Sequence, residues 1–246
     1  MTAAHPAPVR TGVILPAFQE TAAPALVAAS RADAAGVDGV FCYDHLWPLG
    51  QPARPALAPF PLLGAVAAST GRVRLGPLVA RVGLVPDDVL LAEVDALRAL
   101  APGRVVVGLG TGDRLSAGEN EAYGVAYVPA HERRSALRDC VRAVQGRGVP
   151  AWVGDGSAAT RAVAEAEGAA VNLWEASPDR VASQAARGEV TWAGPSPGGR
   201  LLASEVAALA AAGATWVVYG WPVDLEELAA AATTAPDWPG PEPGGR

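Results

Sequence analysis

The chain of 246 residues contains no lysine, and all 19 of its basic residues are arginine. Without lysine there is no Schiff-base amine, no pyridoxal-phosphate anchor and no P-loop lysine. Histidine is also scarce: there are three, and no two of them have the i, i+4 spacing of a helical zinc site, so no metal site is predicted. Any catalysis must use carboxylates, hydroxyls, one or two histidines, or a bound cofactor.

Further absences narrow the class of protein. The net charge is −6 and no basic stripe is present, which argues against a nucleic-acid partner. No uncharged apolar run is long enough to span a membrane, and the first residues lack the basic start and apolar stretch of a secretory signal. Cys42 and Cys140 lie far apart and are predicted to be reduced, buried thiols. We therefore expect a cytoplasmic protein with no membrane partner.

What the sequence does contain is a regular alternation of short apolar segments and amphipathic or alanine-rich segments. Near-continuous apolar strands are typical of parallel strands that are buried on both faces. Eight such strands, each followed by a helix, predict a (β/α)₈ TIM barrel at this length, with a doubly wound open sheet as the alternative. We expect one domain over residues 1–235, and the proline- and glycine-rich tail 236–246 is predicted to be disordered. The eight predicted strands begin near residues 12, 37, 73, 105, 150, 169, 189 and 215.

The active site of such a barrel lies at the carboxyl ends of its strands. Glycine and tryptophan dominate those ends, with few charges, and this composition favours a slot for a flat aromatic ring over a polar sugar site. The candidate residues at the strand ends are Asp44, His45, Trp47, Val79, Ala80, Gly110, Thr111, Gly112, Asp113, Gly154, Asp155, Gly156, Ser157, Trp174 and Trp221. The tryptophans among them are the candidates for a substrate pocket.

Two glycine-rich turns stand out among these ends. The run 108–112 has GxGxG spacing and a polar loop after it, so it is not a dinucleotide fingerprint; its small residues would let a flat ring lie close to the backbone. The turn 154–157 opens a helix, where free backbone N–H groups make an anion site. In the alternative interpretation, Ser157 merely caps that helix.

Acid–base chemistry has few candidates. His45 is suited to general acid or base catalysis, although it is equally compatible with a histidine that a backbone carbonyl satisfies beneath the loop. Asp113 is a second catalytic candidate. Glu119 and Glu121 are either further acids or, as is usual for loop charges, solvated side chains.

Four motifs together resemble one family: DHLWP at 44–48, the third βα unit at 75–104, GLGTGDRLSAGENEAYG at 108–124 and the strand, turn and helix from 150 to 174. The chain resembles the bacterial-luciferase-like superfamily of flavin- and deazaflavin (F420)-dependent oxidoreductases over roughly residues 9–222, and is most similar to the F420 branch. The resemblance implies hydride transfer between F420, or alternatively FMN, and a small organic substrate, in a homodimer.

For the site, the resemblance implies a phosphate on the backbone around Gly154, Gly156 and Ser157. The ring would lie near Val79, Ala80, Gly110 and Thr111, with His45 at its reactive edge and Trp47 bounding the substrate. Asp113 occupies the place of a glutamate that is common in the F420 branch, and the family's long insertion before the fifth strand is missing. These departures leave open a degenerate barrel that binds the cofactor without turnover, as a carrier or interaction protein. A further alternative is a flavin-free barrel enzyme that acts on a phosphorylated metabolite at the turn 154–157.

Overall fold

The computed structural model describes residues 8–198 and 202–233, and the predicted tail 236–246 lies outside them. Within these residues the strands are β1 Arg10–Ile14, β2 Gly39–Cys42, β3 Arg74–Pro77, β4 Ala80–Arg81, β5 Val107–Gly110, β6 Ala151–Gly154, β7 Ala170–Trp174, β8 Val190–Gly194 and β9 Ala214–Gly220. The helices are α1 Ala23–Ala35, α2 Pro59–Ser69, α3 Asp87–Leu100, α4 Ala117–Ala122, α5 Ala130–Gln145, α6 Ala158–Glu167, α7 Pro178–Ala185, α8 Leu202–Ala211 and α9 Leu225–Ala231, with a 3₁₀ turn at Arg114–Ser116.

All paired strands are parallel, in the order β3-β2-β1-β9-β8-β7-β6-β5-β4. Two backbone hydrogen bonds close the ring: the Leu75 N–H donates to Arg104 O at 2.9 Å, and the Val106 N–H donates to Leu75 O at 3.1 Å. The predicted TIM barrel is therefore confirmed, and the open-sheet alternative is wrong. The predicted third strand, 73–80, is divided into β3 and β4 by a bulge at Leu78 and Val79, which are joined by a cis peptide bond.

Aromatic side chains fill the interior of the barrel below the strand ends. The Phe41 ring lies 5.2 Å from that of Trp152 and 5.9 Å from that of Trp216, measured between centroids, and all three side chains are buried. Gly12 and Gly39 make room for these rings, since a Cβ on either would come within 2.9 Å of one of them. The barrel is thus closed from below, which leaves the carboxyl ends of its strands as the place for a cavity.

The ends of several helices follow the sequence pattern. The helix α1 ends at Gly36, which has a φ of 97°, and Pro86 precedes α3, whose first turn carries Asp87 and Asp88. The Asp224 carboxylate accepts a hydrogen bond from the Glu227 N–H at 2.8 Å, as a helix cap does. These helix ends therefore follow from local capping and backbone preferences.

Two connections bear on the site. Only residues 146–150 join α5 to β6, so the long insertion is absent, as the sequence predicted. The connection from β5 to α5 is longer, and the stretch predicted as a polar loop contains the 3₁₀ turn and α4. No helix in the described ranges has the length and apolar character required to cross a membrane. Cys42 and Cys140 are buried and unbridged, as predicted.

Candidate functional site

A cavity of about 530 Å³ opens at the carboxyl ends of the strands. Eleven of the fifteen residues that the sequence proposed line it: Asp44, His45, Val79, Gly110, Thr111, Gly112, Asp113, Gly154, Asp155, Gly156 and Trp174. The remaining lining residues are Phe18, Tyr43, Leu49, Leu78, Arg81, Ser116 and Asn172. The fold thus brings the loops after β2, β4, β5, β6 and β7 together around one space.

Four proposed residues do not line this cavity. Ala80 is fully buried beside Leu109, and the Trp221 ring lies 5.8 Å from the Arg31 guanidinium, outside the lining. Trp47 is partly exposed on the loop after β2. Ser157 caps α6, because its hydroxyl accepts a hydrogen bond from the Thr160 N–H at 3.2 Å.

The bulge between β3 and β4 pushes Val79 into the cavity wall. A Cβ on Gly110 would lie 2.5 Å from Val79 Cγ2, and one on Gly154 would lie 3.2 Å from Val79 Cγ1. A Cβ on Gly108 would lie 3.0 Å from the same side chain. These glycines therefore make room for Val79 in the first instance, and it is Val79 that presents an apolar surface to the cavity.

The turn after β6 combines a helix start with a neutralised carboxylate. Asp155 donates its N–H to Asn172 O at 2.7 Å, while its carboxylate pairs with Arg161 at 3.1 Å and with Arg180 at 2.5 Å. Because the first N–H groups of a helix have no partner within the helix, the start of α6 offers donors to an anion. Two guanidinium groups against one carboxylate leave the local charge positive, which favours the same ligand.

On the opposite side, His45 contacts a buried glutamate. Its Nδ1 lies 3.0 Å from Glu119 Oε2 and 3.2 Å from Glu119 Oε1. The same carboxylate accepts hydrogen bonds from the Leu46 N–H at 2.8 Å and from Arg81 Nη1 at 2.5 Å. Glu119 is completely buried, whereas 23% of the His45 side chain is exposed. His45 thus connects an internal charge cluster with the cavity.

The carboxylates of Asp44 and Asp113 accept hydrogen bonds from backbone N–H groups in this region. The Asp44 carboxylate accepts a hydrogen bond from the Arg81 N–H at 2.8 Å, and burial raises the pKa of this carboxyl above its ordinary value. The Asp113 carboxylate accepts hydrogen bonds from the Leu115 N–H at 2.9 Å and the Ser116 N–H at 3.0 Å, and it caps the 3₁₀ turn. A helix cap therefore accounts for the position of Asp113, whose catalytic role stays a prediction.

An aromatic wall completes the cavity. The Phe18 and Tyr43 rings stack with 5.6 Å between centroids, and Trp174 meets Tyr43 edge-on at 6.2 Å. Burial, with the nearby Glu175 carboxylate, raises the pKa of Tyr43 to about 12. The Tyr43 hydroxyl therefore stays protonated at neutral pH, and this wall presents rings and an uncharged hydroxyl group to a ligand.

Sequence reasoning singled out only part of the group behind His45. For Glu119 the sequence left both a further acid and a solvated loop charge open, and the structure buries its carboxylate completely. Arg81 escaped notice although it ends β4, at a strand end where site residues gather. Its position alone was a usable signal, whereas nothing in the local sequence distinguishes Glu119 from the exposed Glu121.

Comparison with known proteins yields one family and several relatives. A family model described as luciferase-like monooxygenase matches residues 1–214. An F420-dependent glucose-6-phosphate dehydrogenase of Beutenbergia cavernae is 38% identical over 126 residues, which cover 50% of this chain and 35% of that protein. A protein of the same name from Kineococcus radiotolerans is 34% identical over 148 residues, which cover 59% of this chain and 42% of that protein. The matches thus span less than half the length of these curated relatives.

Solved structures resemble the whole barrel. An F420-dependent secondary alcohol dehydrogenase, in complex with an F420-acetone adduct, superposes with a TM-score of 0.75 at 13% identity and covers 91% of this chain and 98% of its own. The coenzyme F420-dependent tetrahydromethanopterin reductase of Methanopyrus kandleri gives a TM-score of 0.69 at 13% identity, over 92% of this chain and 97% of its own. At such low identity these likenesses establish the fold alone.

Proposed function

The chain belongs to the luciferase-like monooxygenase family, and from this premise we propose that it is an F420-dependent oxidoreductase acting on a small organic alcohol or carbonyl compound. The family resemblance found in its motifs is thereby confirmed. One observation carries the proposal: the same cavity is lined by His45 and by the turn after β6 at 154–156, which is the candidate anion site. The curated relatives named above support F420 as the cofactor, with FMN as the alternative.

The residues around the cavity fit such a cofactor. The volume of about 530 Å³ lies within the range of small-molecule sites. Val79 and the backbone at Gly110 and Thr111 would support the flat ring, while the start of α6 and the turn at Gly156 would hold the phosphate. When bound, F420 supplies the hydride acceptor or donor, and the protein contributes orientation and proton supply.

His45 is the proposed proton-transfer residue. Its Nδ1 is turned to the interior and contacts Glu119, which leaves Nε2 as the ring nitrogen available to the cavity. Nε2 would take the hydroxyl proton when an alcohol is oxidised and return it when a carbonyl is reduced. The apolar rings of Phe18 and Trp174 would keep water away from this exchange.

The aromatic wall bears on the substrate. Among the described residues that line the cavity, Arg81 is the only basic one apart from His45. Its Nη1 is bonded to Glu119, while its Nε and Nη2 are buried and have no hydrogen-bond partner. A substrate placed against Phe18, Tyr43 and Trp174 meets rings, which favours an alcohol or ketone with an apolar body over a sugar phosphate.

The experiment is a titration of the purified protein with F420 and with FMN, followed by fluorescence, and then a turnover assay with glucose-6-phosphate and with secondary alcohols in parallel. We expect saturable F420 binding and F420 reduction with an alcohol. Binding without turnover on either substrate would support the degenerate carrier, and binding of neither cofactor would overturn the redox proposal in favour of a flavin-free enzyme. His45→Gln is expected to retain cofactor binding and to lower turnover by about 10²-fold or more. His131→Gln, at an exposed histidine, is the matched control.

A homodimer in the cytoplasm stays a prediction from the resemblance and the composition. Measurement of the molar mass in solution by light scattering tests whether the protein is a homodimer.

A further inference from the structure

Glu119 has an unusually complete set of contacts for a carboxylate that belongs to a six-residue helix. It is fully buried, and its partners come from two separate segments: Arg81 at the end of β4, and Leu46 and His45 after β2. A buried carboxylate needs such donors, because an ionised group without partners in the interior is strongly unfavourable. The Arg81 side chain is only 5% exposed, so this ion pair is shielded from water.

The Leu46 N–H and the Arg81 guanidinium can act only as donors, so Glu119 is held as an acceptor whatever the state of His45. The carboxylate atoms nearest to His45 are therefore acceptors as well, and Nδ1 must carry the hydrogen in the 3.0 Å contact. In the neutral ring, a proton on Nδ1 leaves Nε2 as the unprotonated nitrogen. The tautomer of His45 is thus determined by a residue 74 positions away.

The charges around the ring point in the same direction. Asp44 and Glu119 bring two carboxyl groups to the cluster, and Arg81 brings one positive charge. With both carboxylates ionised, the cluster carries one net negative charge, towards which a hydrogen on Nδ1 presents the positive end of the N–H dipole. Other titratable groups near the cluster are Tyr43, Glu93, Asp113 and Tyr123, and all four are uncharged or acidic.

We infer that Glu119, anchored by Arg81, is a positioning residue that holds His45 with Nδ1 protonated and Nε2 directed to the cavity. Its catalytic meaning rests on the proposed oxidoreductase function, because the ring matters only if a proton is exchanged there. Glu119, on α4, is thus the carboxylate that supports His45. This role does not require Asp113, whose carboxylate caps the 3₁₀ turn.

The test is nitrogen NMR of the cofactor-free protein. Two-bond ¹H–¹⁵N correlation spectra distinguish the two imidazole tautomers, and His45→Gln assigns the signal among the three histidines. We expect the Nδ1–H tautomer in the wild type. Glu119→Gln is expected to mix the two tautomers, because an amide can present either its oxygen or its NH₂ group to Nδ1. Glu121→Gln, at an exposed site two residues along the same helix, should leave the tautomer unchanged.

An Nε2–H tautomer in the wild type would overturn the inference, and so would a folded Glu119→Gln variant in which His45 keeps the Nδ1–H tautomer as completely as the wild type. If Glu119→Gln does not fold, the wild-type tautomer alone decides the question. Because no cofactor is required, the result is separable from the proposed function: a chain that fails to bind F420 but shows the Nδ1–H tautomer retains the positioning role of Glu119 and loses the redox assignment.

Discussion

Replacement of Gly110 by alanine tests how the cavity wall is built. An ideal Cβ at Gly110 would lie 2.5 Å from Val79 Cγ2, whereas carbon atoms in favourable contact are about 3.5–4.0 Å apart. The overlap is therefore about 1 Å or more. Val79 cannot relieve it easily, because β-branched side chains have restricted χ1 angles.

Overpacking of this kind typically costs about 1–3 kcal/mol of the free energy of unfolding, which is roughly a 5- to 150-fold change in the folding equilibrium. Val79→Ala alone should cost about 1 kcal/mol, since the side chain is only partly buried. In the double variant the added methyl group occupies space that the valine has left. The two effects should therefore be less than additive by about 1 kcal/mol or more.

Urea unfolding of the four proteins in this cycle provides the measurement. Gly118→Ala is the matched control: it lies in α4 with nothing within 4 Å of its Cβ, and it should be neutral or slightly stabilising. We also expect Gly110→Ala to weaken F420 binding, because the displaced Val79 enters the cavity. Full stability in Gly110→Ala, or strict additivity in the double variant, would refute the packing account of this glycine.

Two further predictions concern charged groups that are at least partly buried. Burial raises the pKa of Asp44 above its ordinary value of 3.8, so between the two pKa values the folded protein binds more protons than the unfolded chain. Its stability therefore falls as the pH rises through that window. In urea unfolding from pH 4 to 7, Asp44→Asn should become more stable relative to the wild type as the pH rises, and parallel stability curves would contradict this. The Arg104 guanidinium donates to Ala67 O at 2.9 Å and fastens α2 to the barrel, so Arg104→Met should cost about 1–3 kcal/mol in urea unfolding. Arg98→Met, which removes only an exposed pair with Asp95 at 3.1 Å, should cost under about 1 kcal/mol, and equal losses would count against the Arg104 assignment.

Much of the fold could be predicted because its determinants are local. Apolar runs mark the strands, and Gly36, Pro86 and Asp224 mark helix ends through backbone preferences that act within a few residues. The resemblance implies a bulge in the third βα unit, but its position at Leu78 and Val79 could not be read from the residues, since an unbroken apolar segment carries no sign of where its hydrogen-bond ladder is interrupted. The interruption depends on the glycines of β5 and β6, which leave the space that Val79 occupies.

The candidate site was likewise predictable only where its determinants are local. The ends of strands can be located in the sequence, so His45, Gly110 and Gly154 could be proposed as site residues, and all three line the cavity. Burial of an acid cannot be found this way: Glu119 and Glu121 are two residues apart in one short helix, yet one is enclosed and the other is exposed. The difference is made by Arg81 and His45, which lie 38 and 74 residues away along the chain. A charge is tolerated in the interior only where its partners converge, and that convergence is a property of the closed barrel. The proposed acid–base group of this protein is therefore encoded by long-range contacts between the second, third and fourth βα units, even though each contributing residue looks ordinary in its own segment.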